Sequence, residues 1–212
     1  MTLSDKVAVC LFAKAPQLGR VKTRMQPHLT EQESLALHCD LLDLCCSQLA
    51  ALDRGAFQVE LHVTEQHAFL DQLGKKYHLP IQLQNGANLG ARMSHAVRQA
   101  LQRYRNVILV GADCPSMNAR EIERLRHALS HHQAVMVPAL DGGYVALALK
   151  QHAPELFCNM PWGGDTVAAE TLERLEALQW SFDCMPAQTD IDRPEDLKTL
   201  AGQLRQWAEK SL

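Results

Sequence analysis

Short, continuous apolar segments constrain the fold of this chain more than any other feature. Residues 7–12 and 107–110 are entirely apolar. Runs of this length are typical of β-strands that are buried on both faces of a parallel sheet. Residues 57–63 instead alternate between apolar and polar side chains, which also indicates a strand. The chain is therefore built around a largely buried sheet.

Segments with helical spacing separate these strands. Thr30 and Glu33 form a capping-box pair before a leucine-rich stretch that reaches Leu52. Further helices are predicted over 65–73, 89–104 and 165–178, after Asn118, and from Pro194 to about Trp207, and further strands over 81–83, 134–137, 144–149 and 180–182. This alternation predicts a single α/β domain over residues 1–212, with a mainly parallel sheet covered on both faces. Ligands bind such folds beyond the carboxyl ends of the strands.

The composition excludes several classes of function. A formal net charge of −3 and an aromatic content of 5% argue against a nucleic-acid binder or a protein attracted to anionic membranes. The seven cysteines are scattered and contain no C-x-x-C pair, which argues against a disulfide framework or a zinc site. Residues 1–16 do not resemble an export signal, because Lys14 interrupts a short apolar run. We therefore expect a cytoplasmic protein with reduced thiols.

The loop after the first predicted strand concentrates positive charge. Residues 13–24, beginning at Ala13, contain Lys14, Arg20, Lys22 and Arg24. Such clustering is repulsive unless an anion such as a diphosphate neutralises it, and Gly19 would let backbone N–H groups approach phosphate oxygens. The same residues also fit a basic loop exposed to solvent. The segment is neither a P-loop nor G-x-G-x-x-G, which argues against kinases, P-loop GTPases and nicotinamide-dependent dehydrogenases.

Two acidic segments are candidates for a metal site. Asp113 directly follows the strongest apolar run, where a carboxylate is well placed to bind a hard cation such as Mg²⁺ or Mn²⁺. Its alternative role is to cap the turn into the next helix. Asp192 could complete the site, although Asp190 is equally available and both also fit the acidic start of a helix. Sequence spacing alone does not bring these segments together.

Three other segments carry candidate ligand contacts. Residues 84–90 are rich in amides and glycine, so Gly86 and the nearby Arg92 are candidates for nucleotide binding, or for a simple turn and a surface charge. Asp141, Gly142 and Tyr144 belong to a segment typical of a tight hairpin, which could also hold an acceptor. Trp162 could stack on a sugar or pack within its loop.

The motifs together resemble a known family. Residues 12–24, 89–93, 111–115, 141–144, 161–163 and 190–197 match, in order, the DUF2064 or rSAM/selenodomain-associated transferases of the nucleotide-diphospho-sugar transferase (GT-A) superfamily. This resemblance implies a three-layer GT-A-like fold with a nucleotide over the first loop. It further implies that Lys22 and Arg24 hold phosphates, and that Asp113 and Asp192 hold a divalent metal. Cys114 and Pro115 follow Asp113 where many GT-A glycosyltransferases have Asp-x-Asp.

These observations lead to one expected function and two alternatives. We expect a metal-dependent transferase that uses a nucleotide-activated donor, acting as a glycosyltransferase on a small-molecule acceptor. Lys22 and Asp113 would be its catalytic residues, assisted by Mg²⁺ or Mn²⁺. One alternative is a nucleotidyltransferase that releases pyrophosphate from a nucleoside triphosphate. The other is a nucleotide-binding module without catalysis. The sequence does not indicate an oligomeric state.

Overall fold

A computed structural model describes residues 3–211. Residues 1, 2 and 212 of the predicted domain lie outside this range. The first two of them also belong to the segment considered above as an export signal. Its strands are β1 (Ser4–Ala13), β2 (Phe57–Val63), β3 (Ile81–Leu83), β4 (Tyr104–Gly111), β5 (Ala134–Pro138), β6 (Tyr144–Leu149) and β7 (Phe182–Cys184). They form one seven-stranded sheet in the order β3-β2-β1-β4-β6-β5-β7. Strand β6 runs antiparallel to both of its neighbours, whereas the other pairings are parallel.

Helices cover both faces of this sheet. They are α1 (Glu31–Ala50), α2 (Ala68–Tyr77), α3 (Leu89–Leu101), α4 (Ala119–His131), α5 (Val167–Ala177) and the short α6 (Arg205–Ala208). Alternate residues of β1 point to opposite faces, so Val9 packs with α1, α2 and α4, whereas Cys10 packs with α3 and α5. The predicted α/β fold with a mainly parallel sheet between two helical layers is confirmed.

Local capping signals in the sequence are also confirmed. Thr30 Oγ1 accepts a hydrogen bond from Glu33 N at 3.2 Å, and Glu33 Oε2 accepts one from Thr30 N at 2.9 Å. The side chain of Asn118 likewise accepts hydrogen bonds from Arg120 N and Glu121 N at the start of α4. These side chains satisfy N–H groups that have no partner inside the helix.

Helix boundaries differ from the prediction where tertiary contacts decide them. The predicted helix 89–104 ends at Leu101, because Tyr104 pairs with Ser4 in the sheet. The predicted helix 65–73 is shifted to α2, since the side chain of His67 caps Phe69 N. The predicted C-terminal helix is instead a 3₁₀ helix, Pro194–Gly202, followed by α6. Hydrophobic periodicity does not distinguish these outcomes.

A third apolar cluster joins distant parts of the chain beside the sheet. Met25 and Leu29 follow the first loop, Leu37 and Leu41 belong to α1, and all four pack with residues of the C-terminal segment. Those residues are Ile191, Leu197, Leu200 and Trp207. The C-terminal segment is therefore fixed next to the loop after β1. Within the described range, no helix is long and apolar enough to cross a membrane.

Candidate functional site

A cavity of about 670 Å³ lies at the carboxyl ends of β1 and β4, beside the start of β6. We call it the main cavity. Most of the predicted site residues line it: Ala13, Lys14, Lys22, Arg24, Arg92, Asp113, Asp141, Tyr144, Trp162 and Asp192. Its volume lies within the range of about 300–1,000 Å³ that is usual for small-molecule sites.

Lys22 is the most buried charged residue of the first loop. It adopts a left-handed conformation with φ of 50° before a one-turn 3₁₀ helix, Thr23–Met25. Its Nζ atom lies 2.5 Å from Asp113 Oδ1 and donates a hydrogen bond to the carbonyl oxygen of Ile191, also at 2.5 Å. The Lys22 side chain is only 3% exposed. Its two contacts hold the first loop, Asp113 and the C-terminal segment together.

Asp113 divides its carboxylate between the protein and the main cavity. Oδ1 is buried against Lys22, yet the side chain as a whole is 48% exposed, so the rest of the carboxylate is open to the cavity. Burial acts to raise the pKa of Asp113, but the charge and the hydrogen bond of Lys22 outweigh it and hold that pKa below its usual value. Asp113 is therefore ionised at neutral pH.

The C-terminal segment brings two more carboxylates to Asp113. Ile191 N donates a hydrogen bond to the Asp113 carbonyl at 2.8 Å, which places Asp190 and Asp192 on either side of this contact. Asp192 Oδ2 lies 2.6 Å from Arg24 Nη1. The Asp196 side chain accepts a hydrogen bond from Asp192 N, which fixes the turn. The segment thus reaches the carboxyl end of β4, and it also leads into the 3₁₀ helix Pro194–Gly202.

Negative charge is crowded on this side of the main cavity. Burial and the carboxylates of Asp141, Asp192 and Asp113 raise the pKa of Asp190 to about 6. A divalent cation bound here would relieve that repulsion, and the open part of the Asp113 carboxylate fits such a cation. Within residues 3–211, no three of these carboxylates bring oxygens within 4.8 Å of one another. The arrangement fits Mg²⁺ or Mn²⁺ held by one or two carboxylates and by ligand phosphates.

The first loop contributes cations to the main cavity that are free to meet a ligand. Lys14 and Arg20 are exposed, and neither forms an ion pair with any described residue. The backbone beneath them is ordered by His38, whose Nε2 lies 3.1 Å from the carbonyl oxygen of Lys14. Burial lowers the pKa of His38, so the neutral ring donates this hydrogen bond from Nε2. Arg92 donates from Nε to the Gly86 carbonyl at 3.1 Å.

The predicted acceptor residues lie at the side of the main cavity nearest β6. Asp141 Oδ1 accepts a hydrogen bond from Gly143 N at 3.0 Å, in the hairpin between β5 and β6. The ring of Trp162 meets the ring of Tyr144 edge-on, with centroids 6.2 Å apart. The hairpin interpretation of this segment is therefore correct, and Asp141 and Tyr144 still line the cavity.

Three predicted site residues do not line the main cavity. Gly19 adopts φ of 69° and lies beside the carboxylate of Glu31, and Gly86 lines a second cavity on the other side of α3. Gly142 packs instead against the backbone of Asp165. Conversely, Arg20 and Asp190 line the main cavity although the motifs gave them no definite role. The unpaired charge of Arg20 and the partial burial of Asp190 are properties of the fold that the sequence does not reveal.

Comparison with solved structures supports the same architecture. A protein from Desulfovibrio desulfuricans G20, provisionally described as a nucleotide-diphospho-sugar transferase, is 23% identical with a TM-score of 0.85, and the alignment covers 98% of this chain and 94% of that one. A cytidylyltransferase from Leptospira borgpetersenii serovar Hardjo-bovis is 14% identical with a TM-score of 0.64, covering 99% and 90% of the chains. At these identities the likeness shows the fold alone.

A third structural relative has the same fold over most of its length. It is the 4-diphosphocytidyl-2C-methyl-D-erythritol synthase from Anaerococcus prevotii DSM 20548, which is 11% identical with a TM-score of 0.62. The alignment covers 95% of this chain and 96% of that protein. No curated protein matches the chain in sequence.

A family model matches more than half of the chain. The match spans residues 41–164 and is described as an uncharacterized protein conserved in bacteria, DUF2064. It includes the motifs at 89–93, 111–115, 141–144 and 161–163, and the charged segments at 12–24 and 190–197 lie outside it. The resemblance stated from the motifs is confirmed, and this chain belongs to the DUF2064 family.

Proposed function

We propose that this protein is a transferase that uses a nucleotide-activated donor together with Mg²⁺ or Mn²⁺. The observation that carries the proposal is the composition of the main cavity, where unpaired cations face ionised carboxylates at the carboxyl ends of the strands. A donor diphosphate carries negative charge that Lys14 and Arg20 can neutralise, and the carboxylates would hold a metal ion that supplies further positive charge. The nucleotide-linked descriptions of the structural relatives support the same class of donor.

The two pairs of opposite charge have a positioning role in this proposal. Lys22 is almost fully buried and paired with Asp113, so it holds the Asp113 carboxylate in one orientation. It can attract a donor phosphate only if that phosphate lies close to Asp113. Arg24 does the same for Asp192, and its more exposed side chain can also turn towards a phosphate. The resemblance had implied direct phosphate binding by both cations. The contacts favour Lys14 and Arg20 for that task.

Asp113 and Asp192 would hold the metal ion, which when bound supplies positive charge next to the departing phosphate. No protein nucleophile is needed, because the protein acts by positioning reactants and by stabilising charge. Asp141 and Tyr144 line the side of the main cavity nearest β6, where their oxygen atoms can orient an acceptor hydroxyl. Trp162, held edge-on by Tyr144, offers a flat surface to a sugar.

Transfer of a sugar to a small-molecule acceptor is the form of the reaction that we favour. The structural relative with a TM-score of 0.85 is described in terms of nucleotide-diphospho-sugars. Nucleotidyl transfer is a second candidate, because two further relatives are named for cytidylyl chemistry. The products separate the two reactions, since sugar transfer releases a nucleoside diphosphate and nucleotidyl transfer releases pyrophosphate.

The first experiment is a thermal-shift panel of nucleoside diphosphates, nucleoside triphosphates and nucleotide sugars, each with and without Mn²⁺. A ligand that binds only the folded state raises the melting temperature according to its concentration relative to its Kd. We expect a metal-dependent shift for one nucleotide sugar. A shift with a triphosphate alone would support nucleotidyl transfer. Tight binding without metal or turnover would support a non-catalytic module, and a flat panel would refute the proposal.

Asp113→Asn tests the catalytic assignment directly. We expect turnover of the donor identified by the panel to decrease about 100-fold or more, because several kcal/mol of charge stabilisation depend on the metal and its ligand. Asp5→Asn is the matched control, since Asp5 is 91% exposed and paired with Arg105 far from the main cavity. Circular dichroism and the melting temperature would show whether the variant is folded. Unchanged turnover in a folded Asp113→Asn protein contradicts the assignment.

A further inference from the structure

A second cavity, of about 600 Å³, lies between α3 and residues 152–162. Ser94, His95 and Arg98 form its wall on the helix, because residues at this spacing share one helical face. His152, Asn159 and Trp162 contribute to the opposite wall. None of these residues except Trp162 lines the main cavity, so this is a separate site.

The charge of the second cavity is opposite to that of the carboxylate cluster in the main cavity. Within residues 3–211, no aspartate or glutamate lines it, whereas Arg98 and two histidines do. Arg98 is exposed, forms no ion pair with a described residue, and lies 3.5 Å from His95 Nδ1 through its Nη2 atom. An unpaired guanidinium, in a cavity that no described carboxylate lines, favours an anionic ligand.

Hydrogen bonds hold the polar groups of this cavity in place before any ligand binds. Ser94 Oγ lies 2.8 Å from His152 Nε2, and the His152 ring stacks on Phe157. Burial and the nearby charge of Arg98 lower the pKa of His152, so it is neutral at neutral pH. A neutral imidazole and a hydroxyl can each donate or accept a hydrogen bond from a ligand.

The wall opposite α3 is also rigid. Arg174 on α5 donates hydrogen bonds to the carbonyl oxygens of Glu155, Cys158 and Asn159 at 2.7, 2.5 and 3.1 Å. This clamp leaves Asn159 with φ of 51°, a left-handed conformation that is uncommon for residues other than glycine. A fixed wall favours specific binding, because less conformational entropy is lost when a ligand binds.

Trp162 connects the second cavity to the main cavity, since it lines both. The contact that positions it is tight, because a Cβ atom at Gly90 would lie 2.5 Å from Trp162 Nε1 and 2.3 Å from the Phe157 carbonyl oxygen. A molecule seated in the second cavity would therefore lie against the same Trp162 ring that borders the acceptor side of the main cavity. Its reacting hydroxyl would lie towards Tyr144, and its other end towards Arg98.

We propose that the second cavity binds the anionic group, a phosphate monoester or a carboxylate, of a small acceptor molecule. The acceptor role rests on the proposed transferase function, whereas binding of the anion does not. Arg98 supplies the positive charge, and Ser94, His152 and the amide of Asn159 supply hydrogen bonds. The main cavity is left to the donor and to the reacting hydroxyl of the acceptor, beside Asp141 and Tyr144.

Isothermal titration with glycerol 3-phosphate, glycerate and glycerol tests this proposal without any need for turnover. We expect one of the two anions to bind the parent protein and glycerol not to bind. The preferred anion distinguishes a phosphate monoester from a carboxylate. We further expect Arg98→Gln to weaken that binding at least about 10-fold, because a charge-assisted hydrogen bond is lost. Arg98 is exposed, so the variant should fold.

Two controls keep the outcomes distinguishable. Arg105→Gln removes an exposed arginine paired with Asp5 and should leave anion binding unchanged. Asp113→Asn should weaken donor binding with metal and leave anion binding intact. Binding of neither anion, or equal binding by the parent and Arg98→Gln, would overturn the proposal. Anion binding that depends on Arg98, in a protein that binds no nucleotide, would preserve the anion site and refute the transferase.

Discussion

Buried charge at single residues serves two different purposes in this protein. In the main cavity, Lys22 fixes Asp113 for a role that requires part of the carboxylate to remain open. On strand β2, Glu60 is instead fully occupied. Arg103 donates to both of its oxygens at 2.8 and 3.1 Å, and His62 Nε2 lies 3.4 Å away. This second arrangement tethers the residues that follow α3 to the sheet.

Glu60→Gln should destabilise the fold by about 2 kcal/mol at neutral pH, because it breaks a buried ion pair and leaves Arg103 without its partner. Burial acts to raise the pKa of Glu60, but hydrogen bonds from His62 and Arg103 outweigh it and lower that pKa. A depressed carboxyl pKa stabilises the folded state above the pKa of the unfolded chain, and that stability is lost as the pH falls below about 4.

Urea unfolding of the parent and Glu60→Gln between pH 3 and pH 7 measures this effect. The difference in unfolding free energy should be largest at pH 7 and should shrink as Glu60 becomes protonated in the parent. Glu176→Gln, at an exposed position on α5, is the control and should change little at any pH. A difference that is independent of pH would show that the ionised form of Glu60 contributes nothing.

At the scale of elements, the turn between β5 and β6 determines where the acceptor side of the main cavity lies. Gly142 has φ of 95°, and its carbonyl accepts a hydrogen bond from Ala168 N at the start of α5. A Cβ atom here would lie 2.0 Å from the carbonyl oxygen of Asp165. Glycine is therefore required for two reasons, the positive φ and the close approach of another backbone.

Gly142→Ala should cost at least about 2 kcal/mol of unfolding free energy, because the clash with a backbone atom is added to the strain of a left-handed residue. Gly163→Ala separates the two contributions. Its φ is 87°, yet nothing lies within 4 Å of the added Cβ. Chemical denaturation should show a clearly larger loss for Gly142→Ala. Equal losses would mean that the backbone at Asp165 moves away from the added Cβ atom without a cost in free energy.

Elements whose signals are local could be predicted from the sequence, and contacts between distant segments could not. The Thr30–Glu33 capping box involves residues three positions apart, and the buried strands are apolar runs, so both are visible in the sequence. The expectation that Asp113 faces a ligand cavity follows from its position after β4, and Asp113 does line the main cavity. Its pairing with Lys22 and its contact with Ile191 depend on how loops from opposite ends of the chain fold back.

At the scale of the whole molecule, the C-terminal segment is both a packing element and part of the site. Trp207 is buried in the cluster with α1, and its Nε1 donates to Asp40 Oδ2 at 2.7 Å. The same segment carries Asp190 and Asp192 into the main cavity. Packing around Trp207 and the geometry around Asp113 are therefore linked through Ile191, which belongs to both.

Trp207→Ala should lower the free energy of unfolding of this segment by about 3 kcal/mol, the usual cost of removing a buried aromatic side chain. Hydrogen exchange should then be faster at the Ile191 amide, while amides in β1 and β4 remain protected. Trp207→Phe keeps most of the packing and loses only the hydrogen bond to Asp40, so it should exchange at an intermediate rate. Protection of Ile191 that survives Trp207→Ala would show that the two ends of the segment are independent.

Asp113 and Ile191 are in contact but far apart in the sequence, and this separation sets the order in which the parts of the main cavity are made. A ribosome makes the chain from its N-terminus, so the cationic loop and Asp113 emerge long before Asp190 and Asp192. A nascent chain that has already made β1, β4 and Asp113 still lacks three carboxylates that line the main cavity, those of Asp141, Asp190 and Asp192. The cavity is therefore completed only once Asp190 and Asp192 have been made, after β1 and β4.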